Sequence, residues 1–346
     1  MQFSKSLIQW YLQNQRDLPW RKTTDPYAIW LSEIMLQQTR VAQGLPYFLK
    51  FIDEFPTVFG LANASEEKVL KLWQGLGYYS RARNLHATAK YVAFELNGVF
   101  PQDYNGLIKL KGVGDYTAAA IASISYGEAV PVVDGNVYRV LSRYFGVETD
   151  ISSSSAKNEF RELAASQLPK HKASLFNQAM MEFGALQCVP KSPDCTICVF
   201  NSNCVALQTG RVGELPVKLK KTKVTNRYFN YLIIKDSEGK SVIHKRTAKG
   251  IWHNLYEFPL IETETEQNEA DVLNLIKEYK EYDFSSADIN FLNPDMIVHK
   301  LSHQHLYIRF WEVKIAYAIK EAMDYEALKT FPFPIVIHNF MEKHWE

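Results

Sequence analysis

The chain lacks most of the features that would announce a destination or a partner. No apolar run approaches the roughly 18 residues needed to cross a bilayer. The opening MQFSKSLIQWYLQNQ mixes polar and apolar residues at helical spacing and has no signal peptide's apolar core. The expected setting is therefore the cytoplasm, or the nucleoid of a bacterium, with no membrane partner and a monomeric state. Net charge is scarce as well: 346 residues carry a formal charge of +1. Any nucleic-acid surface must then be local, because phosphate contacts dominate such affinity. One stretch, Val217–Arg227, holds Lys218, Lys220, Lys221, Lys223 and Arg227 without an acid, which fits a solvated linker or a DNA contact. Cysteine is sparse, with four residues confined between Cys188 and Cys204. In a chain without a secretory signal, such clustering favours metal or cluster ligation over scattered disulfides. There is no internal repeat and no low-complexity tract.

What is present is ordinary folded-protein material, 47% hydrophobic and 22% charged, in a length that suggests two domains. Residues 1–206 read as helix after helix. Pro26 starts a segment, PYAIWLSEIMLQQTRVAQGL, whose Ile29, Ile34, Leu36 and Val41 fall near a 3.6 period. Further helices are expected at 65–72, 81–97, 117–125, 137–145, 156–167 and 173–186, with Asp115 and Ser155 as N-caps and glycines 98, 127 and 146 at ends. The character changes beyond the cysteines. A lysine-rich linker, 207–226, leads to RYFNYLIIK, SVIHKR, HLYIRFWEVKI and FPIVIHNF, which read as strands, with helices at 270–279 and 322–328. The expected fold is multidomain: an all-α domain followed by a smaller α+β domain over 227–346.

Leu110–Ala122, LKGVGDYTAAAIA, places Gly112 and Gly114 two apart before a helix of small residues. Glycine permits the tight turn and close backbone approach, and the free N–H groups opening the next helix can hold a phosphate. Alone, this is as consistent with one helix ending and another starting. Downstream, VVDGNV sets Asp134 in apolar surroundings at a helix start, where a carboxylate is either a cap or a catalytic group, and can be both. The array Cys188, Cys195, Cys198, Cys204 is C-x6-C-x2-C-x5-C. Four thiolates can hold tetrahedral zinc or an iron–sulfur cluster, and the chemistry of the ligands leaves both open.

Hairpin, VDGNV and cysteine array together resemble the helix-hairpin-helix DNA glycosylase superfamily. The resemblance implies that Asp134 is the catalytic aspartate and that the loop 188–204 binds one [4Fe–4S] cluster, as in endonuclease III and MutY-type enzymes. Lyase-type relatives carry a lysine two residues after the second hairpin glycine, for a Schiff base with the sugar; here that position is Tyr116. SEIMLQQT, residues 32–39, is similar to the MutY signature, and its Glu33 matches the catalytic glutamate. Two carboxyl groups suit N-glycosidic cleavage, one protonating the leaving base and one facing the oxocarbenium-like sugar. The resemblance adds Tyr116 and Asn136 as assistants. It adds an adenine pocket of Arg16, Leu18, Trp20, Arg21 and Glu182, and opposite-base contacts from Gln38 and Thr39. An enzyme acting on a stacked base extrudes it and fills the gap; QGLGYYS, residues 74–80, looks like the intercalating loop, with Tyr78 as wedge and Leu76 beside it.

MutY-type enzymes continue past the cysteines with a domain related to Nudix hydrolases that reads 8-oxoguanine, and about 140 residues follow Cys204 here. GIWHNLYEFP, residues 250–259, resembles only the start of a Nudix box, so recognition is implied and nucleotide hydrolysis is not. The family's recognition tip often reads Phe-Ser-His; Leu301, Ser302 and His303 depart from it at the first position. The implied function is monofunctional removal of adenine opposite 8-oxoguanine or guanine in double-stranded DNA. A bifunctional glycosylase/lyase of the endonuclease III type and a non-catalytic damage-binding module are the rivals. Tyr116 speaks against the first, and the presence of both Glu33 and Asp134 against the second.

Overall fold

The computed structural model describes residues 2–219 and 223–345. Lys220 and Lys221 of the basic linker lie outside the described residues. In chain order the elements are α1 (Gln2–Asn14), α2 (Pro26–Leu36), α3 (Val41–Glu54), α4 (Val58–Asn63), α5 (Glu66–Leu72), α6 (Ser80–Lys90), α7 (Tyr104–Leu107), α8 (Asp115–Tyr126), α9 (Gly135–Phe145), α10 (Ser154–Gln167), α11 (Ala173–Leu186) and α12 (Val205–Gln208). There follow β1 (Thr225–Lys235), β2 (His244–Lys245), β3 (Tyr256–Glu257), β4 (Leu260–Thr263), α13 (Glu269–Lys277), β5 (Asp288–Phe291), β6 (Ile297–Lys300), β7 (Gln304–Lys314), α14 (Tyr325–Leu328) and α15 (Ile335–His344). Among the described residues no helix is long and apolar enough to cross a membrane.

Two compact units emerge, Met1–Asn63 with Asn84–Lys220, and Ala64–Arg83 with Lys221–Glu346. The division differs from the sequence expectation in one informative place: residues 64–83, which carry the QGLGYYS loop, group with the C-terminal residues.

The first unit is helical. α2 is buried from Tyr27 through Met35. A helix apolar on all sides belongs in the interior, so Glu33 is carried inside with it. Asp25 caps this helix, accepting from the Tyr27 and Ala28 N–H groups, with Pro26 at the first helical position. The expected continuous helix from Pro26 breaks at Gln37, and Gln38 adopts φ 55°. α8 packs on α2 and α11 through a run of buried small residues, Thr117–Ser123. Its N-cap is Gly114; Asp115 is the first helical residue and not the cap expected. Likewise Ser153, not Ser155, caps α10. One helical core joins Leu7, Trp10 and Tyr11 of α1 to Val140 and Leu141 of α9 and to Phe176, Met180 and Phe183 of α11.

In the second unit a mixed sheet runs β4-β1-β7-β5, with β6 also paired to β7. The central pair β1–β7 is parallel, in register Thr225↔Gln304 to Lys235↔Lys314, and the other pairings are antiparallel. One face carries Leu232, Ile234, Trp311 and Val313 against Val272 and Ile276 of α13. On the opposite side Phe310 stacks on Phe340 of α15 at 3.7 Å. FPIVIHNF is thus a correction: it enters α15, capped at Pro334 and burying Val336, Ile337, Phe340 and Met341. A short apolar run does not distinguish strand from buried helix by period, and here tertiary packing decides. SVIHKR contributes the two-residue strand β2 and isolated β-bridges from Ser241 to Lys235 and Met323.

Candidate active site

Asp134 ends the extended segment before α9 and caps that helix. Its Oδ1 accepts from Val137 N–H at 2.8 Å and its Oδ2 from Asn136 Nδ2 at 2.9 Å. α11 comes close to this turn because residue 184 is glycine: a Cβ there would sit 2.6 Å from Asn136 Cβ and 3.0 Å from its carbonyl oxygen. Asn136 is held in turn by Arg139, whose Nη2 donates to Asn136 Oδ1 and to Gly184 O, both at 2.7 Å, while Nε donates to Cys188 O at 2.7 Å. Arg143, one turn on, donates to Val189 O, Pro190 O and Leu215 O. Sequence reading passed over these two buried arginines. Their signal was present: cations at i and i+4 on the buried side of an amphipathic helix can be there only for carbonyls or acids.

Across from Asp134, Glu33 is 6% exposed. The Tyr116 hydroxyl donates to its Oε2 at 2.5 Å and touches Met181 Sδ at 3.3 Å. Burial pushes Glu33 up to about 7; the Tyr116 hydrogen bond and Arg21 pull it down, and the Asp134 charge adds to the rise. Burial also raises Asp134, opposed by the hydrogen bonds from Val137 and Asn136 and by Arg139. Tyr116 is raised well above an ordinary phenol, by burial first and then by the two acids, so it remains a donor.

Glu182 is the third acid and is buried, but its environment is the reverse. Burial works against its charge, yet the hydrogen bonds of Arg21 and Arg16 hold it down at about 2. Arg16 donates through N and Nε at 2.9 Å and Nη2 at 2.5 Å, and Arg21 through Nη1 at 2.8 Å and Nη2 at 2.6 Å. Five donors fill a carboxylate that offers about four acceptor sites. Glu182 therefore orders the two arginines and has no lone pair to spare. Neighbouring carboxyls forced to opposite protonation states are the arrangement expected where one acid must give a proton.

A cavity of about 520 Å³ is lined by Arg16, Leu18, Trp20, Arg21, Glu33, Thr39, Tyr116, Asp134, Asn136, Arg139, Met181 and Glu182. All nine residues expected for catalysis and for the base pocket are in this one wall. A second cavity, about 720 Å³, shares Leu36, Tyr116 and Asp134 with it and adds Gln38 and Gly114. Tyr116 and Asp134 are therefore the partition between two spaces. Gly112 turns the hairpin at φ 78°, where a Cβ would collide with Asn84 Cβ at 2.7 Å.

In the second unit, Leu301, Ser302 and His303 form the turn between β6 and β7, closed by Leu301 N–H to Gln304 O at 2.8 Å. The hydroxyls of Ser302 and Tyr78 hydrogen-bond each other. Tyr78 is 46% exposed at φ 48°, whereas Leu76 is 3% exposed and packed inward. The segment bearing Tyr78 is tied down by Glu67, which accepts from Lys245 at 3.0 Å and Tyr256 at 2.6 Å, and by Phe333 N–H to Gln74 at 3.1 Å.

Cys188, Cys195, Cys198 and Cys204 form no disulfide and line one pocket with Val140, Phe183, Phe200 and Leu207. Arg143 Nη1 donates to Cys188 Sγ at 3.4 Å and Phe200 N–H to Cys198 Sγ at 3.5 Å. Four sulfurs in an apolar pocket with N–H donors aimed at them fit a cluster held by thiolates.

Residues 31–166 match the family described as HhH-GPD superfamily base excision DNA repair protein, and 230–343 match the NUDIX domain family. Adenine DNA glycosylase of Buchnera aphidicola subsp. Schizaphis graminum is 35% identical over 310 residues, spanning 88% of this chain and 86% of that protein. The human protein of the same name is 45% identical over 215 residues, 60% of this chain and 39% of the human one. A solved thermostable thymine-DNA glycosylase superposes with TM-score 0.56 at 29% identity, over 60% of this chain and 95% of its own. An endonuclease III–DNA complex shares the fold, at TM-score 0.53 and 22% identity over 60% of this chain and 94% of its own.

Proposed function

We propose, for a chain that belongs to the adenine DNA glycosylase family of the helix-hairpin-helix base-excision repair superfamily, that it hydrolyses the N-glycosidic bond of adenine opposite 8-oxoguanine or guanine and leaves the DNA strand intact. The observation that carries this reading is the pair of acids in the smaller cavity, with Glu33 held near pH 7 and hydrogen-bonded by Tyr116.

The extruded adenine enters the space lined by Leu18, Trp20, Arg16 and Arg21. With Glu33 Oε2 taken by Tyr116, the transferable proton is the one on Oε1, and it passes to adenine N7. The C1′–N9 bond breaks and its electron pair leaves with the base. The developing cation at C1′ faces Asp134, whose capped geometry supports the charged form. Water adds its oxygen to C1′, and its proton restores Glu33. No lysine lines the smaller cavity among the described residues. The position that would hold a Schiff-base amine has a tyrosine engaged with Glu33, which supports hydrolysis without strand cleavage.

Cys188, Cys195, Cys198 and Cys204 would hold one [4Fe–4S] cluster, which supplies a structural anchor for the loop that Arg139 and Arg143 grip. Metal analysis of the purified protein is expected to return iron and sulfide; a colourless protein with one zinc and no iron contradicts it.

Ser302 and Tyr78 are assigned to the base opposite adenine. Single-turnover rates on duplexes pairing adenine with 8-oxoguanine and with guanine test this. Ser302→Ala is expected to lower the 8-oxoguanine preference, and an unchanged ratio removes Ser302 from recognition. Tyr116→Phe removes a hydrogen bond that holds the Glu33 proton affinity down. The high-pH limb of its rate profile is expected to move upward, and a limb at the parent's position would disconnect that limb from Glu33.

A further inference from the structure

The larger cavity contains charged residues that the reaction does not use. Besides Tyr116 and Asp134 it is lined by Tyr104, Asp115, Lys157 and Arg161. Lys157 and Arg161 are i and i+4 on α10, so they share one face. They are not loose surface cations. Lys157 Nζ donates to Asp115 Oδ2 at 2.8 Å, and Tyr104 Oη donates to Asp115 Oδ1 at 2.7 Å. The Arg161 guanidinium lies over the Tyr104 ring, 5.3 Å from its centroid. Asp115, at the first turn of α8, is thus the hub that sets both cations along the wall leading to Asp134.

We propose that Lys157 and Arg161 form a phosphate clamp for the strand whose nucleotide reaches Asp134. The clamp rests on the DNA glycosylase reading and deepens it. A strand delivering a sugar to Asp134 must lay its phosphates along this cavity, and the wall already offers the opening turn of α8 at Gly114, Asp115 and Tyr116. Asp134 repels a polyanion, so compensating positive charge is needed in the same space. As an isolated exposed ion pair, Lys157–Asp115 would contribute little to stability. Its geometry is better understood as a carboxylate resting where a phosphate will go: the Asp115 oxygens occupy the ammonium in the free protein, and a phosphodiester replaces them. Arg161, stacked on Tyr104, is left with its planar donor edge for a second phosphate.

Binding of an undamaged duplex, measured across a range of salt concentrations with the full chain, tests the clamp. Lys157→Gln and Arg161→Gln are each expected to weaken affinity by on the order of tenfold, equally for different sequences. Each is also expected to lower the slope of log affinity against log salt by about one, and the double variant by about two. Melting midpoints are expected to stay at the parent's value. Asp115→Asn is expected to tighten binding severalfold by releasing Lys157. Salt slopes equal to the parent's in the single and double variants overturn the clamp, whatever happens to affinity. A parent protein that binds no duplex at any salt overturns the glycosylase reading itself, whereas a binding parent with indistinguishable variants overturns the clamp alone.

Discussion

Glu33→Gln is expected to lose adenine release by about 10²–10⁴-fold in single turnover, the range a positioned general acid contributes. The substitution keeps shape and an oxygen for the Tyr116 hydroxyl, so it removes little but the proton. The parent's rate should be near its plateau below pH 7 and fall about tenfold per unit above it, because the carboxyl is held near 7 by burial. The same shift has a stability consequence of fixed sign. A carboxyl raised in the folded state stabilises below its unfolded value of 4.5, and that contribution is lost as pH rises through about 7. Above pH 7 Glu33→Gln should therefore be more stable than the parent, by a few kcal/mol at most, on the order of 3. A variant inactive and more stable at pH 8 marks a group kept for chemistry at the expense of the fold. Parent-like rates would remove Glu33 from the reaction, and lower stability at every pH would make it a structural acid.

Asp134→Asn is expected to slow release by about 10²–10³-fold, the scale of a fixed electrostatic contribution to a developing charge. The asparagine can still cap α9, since its oxygen can accept from Val137 N–H, and asparagine and aspartate cap about equally well. Helix, pocket and duplex affinity should then survive while the rate is lost. Substantial residual cleavage, or a fall in melting midpoint matching the fall in rate, would reduce Asp134 to a cap. The two substitutions act on one transition state and should be strongly non-additive, the double variant being little slower than the worse single.

The pocket was legible in the sequence through the resemblance to helix-hairpin-helix DNA glycosylases; local chemistry alone marked only single residues as candidates. Asp134 follows its hairpin and opens α9; Glu33 is the one acid in an apolar helix; Arg16 to Arg21 flank a Pro-Trp turn. What escaped was decided by packing. The apolar FPIVIHNF fits a strand and a buried helix alike, and its contact with Phe310 makes it α15. Leu76, placed beside the wedge Tyr78 in the intercalating loop, has its side chain buried. Glu182 lines the smaller cavity, and the five donors by which it orders Arg16 and Arg21 are visible only in the structure. The grouping of residues 64–83 with the C-terminal residues was equally invisible, because Glu67 and Gln74 find partners some 180 and 260 positions later, at Lys245 and Phe333. The backbone strain at Gln38 and Tyr78, both at positive φ, also falls on two residues assigned to DNA, where such strain commonly accompanies function.

The most direct test is a single-turnover reaction on a duplex with one adenine opposite 8-oxoguanine, divided into samples with and without alkali, and with borohydride present from the start. The expected result is free adenine, a strand that breaks only on alkaline treatment, and no trapped protein–DNA adduct. Strand breaks before alkali together with an efficient borohydride adduct would contradict it, and would mean that an amine of this chain attacks the sugar despite Tyr116.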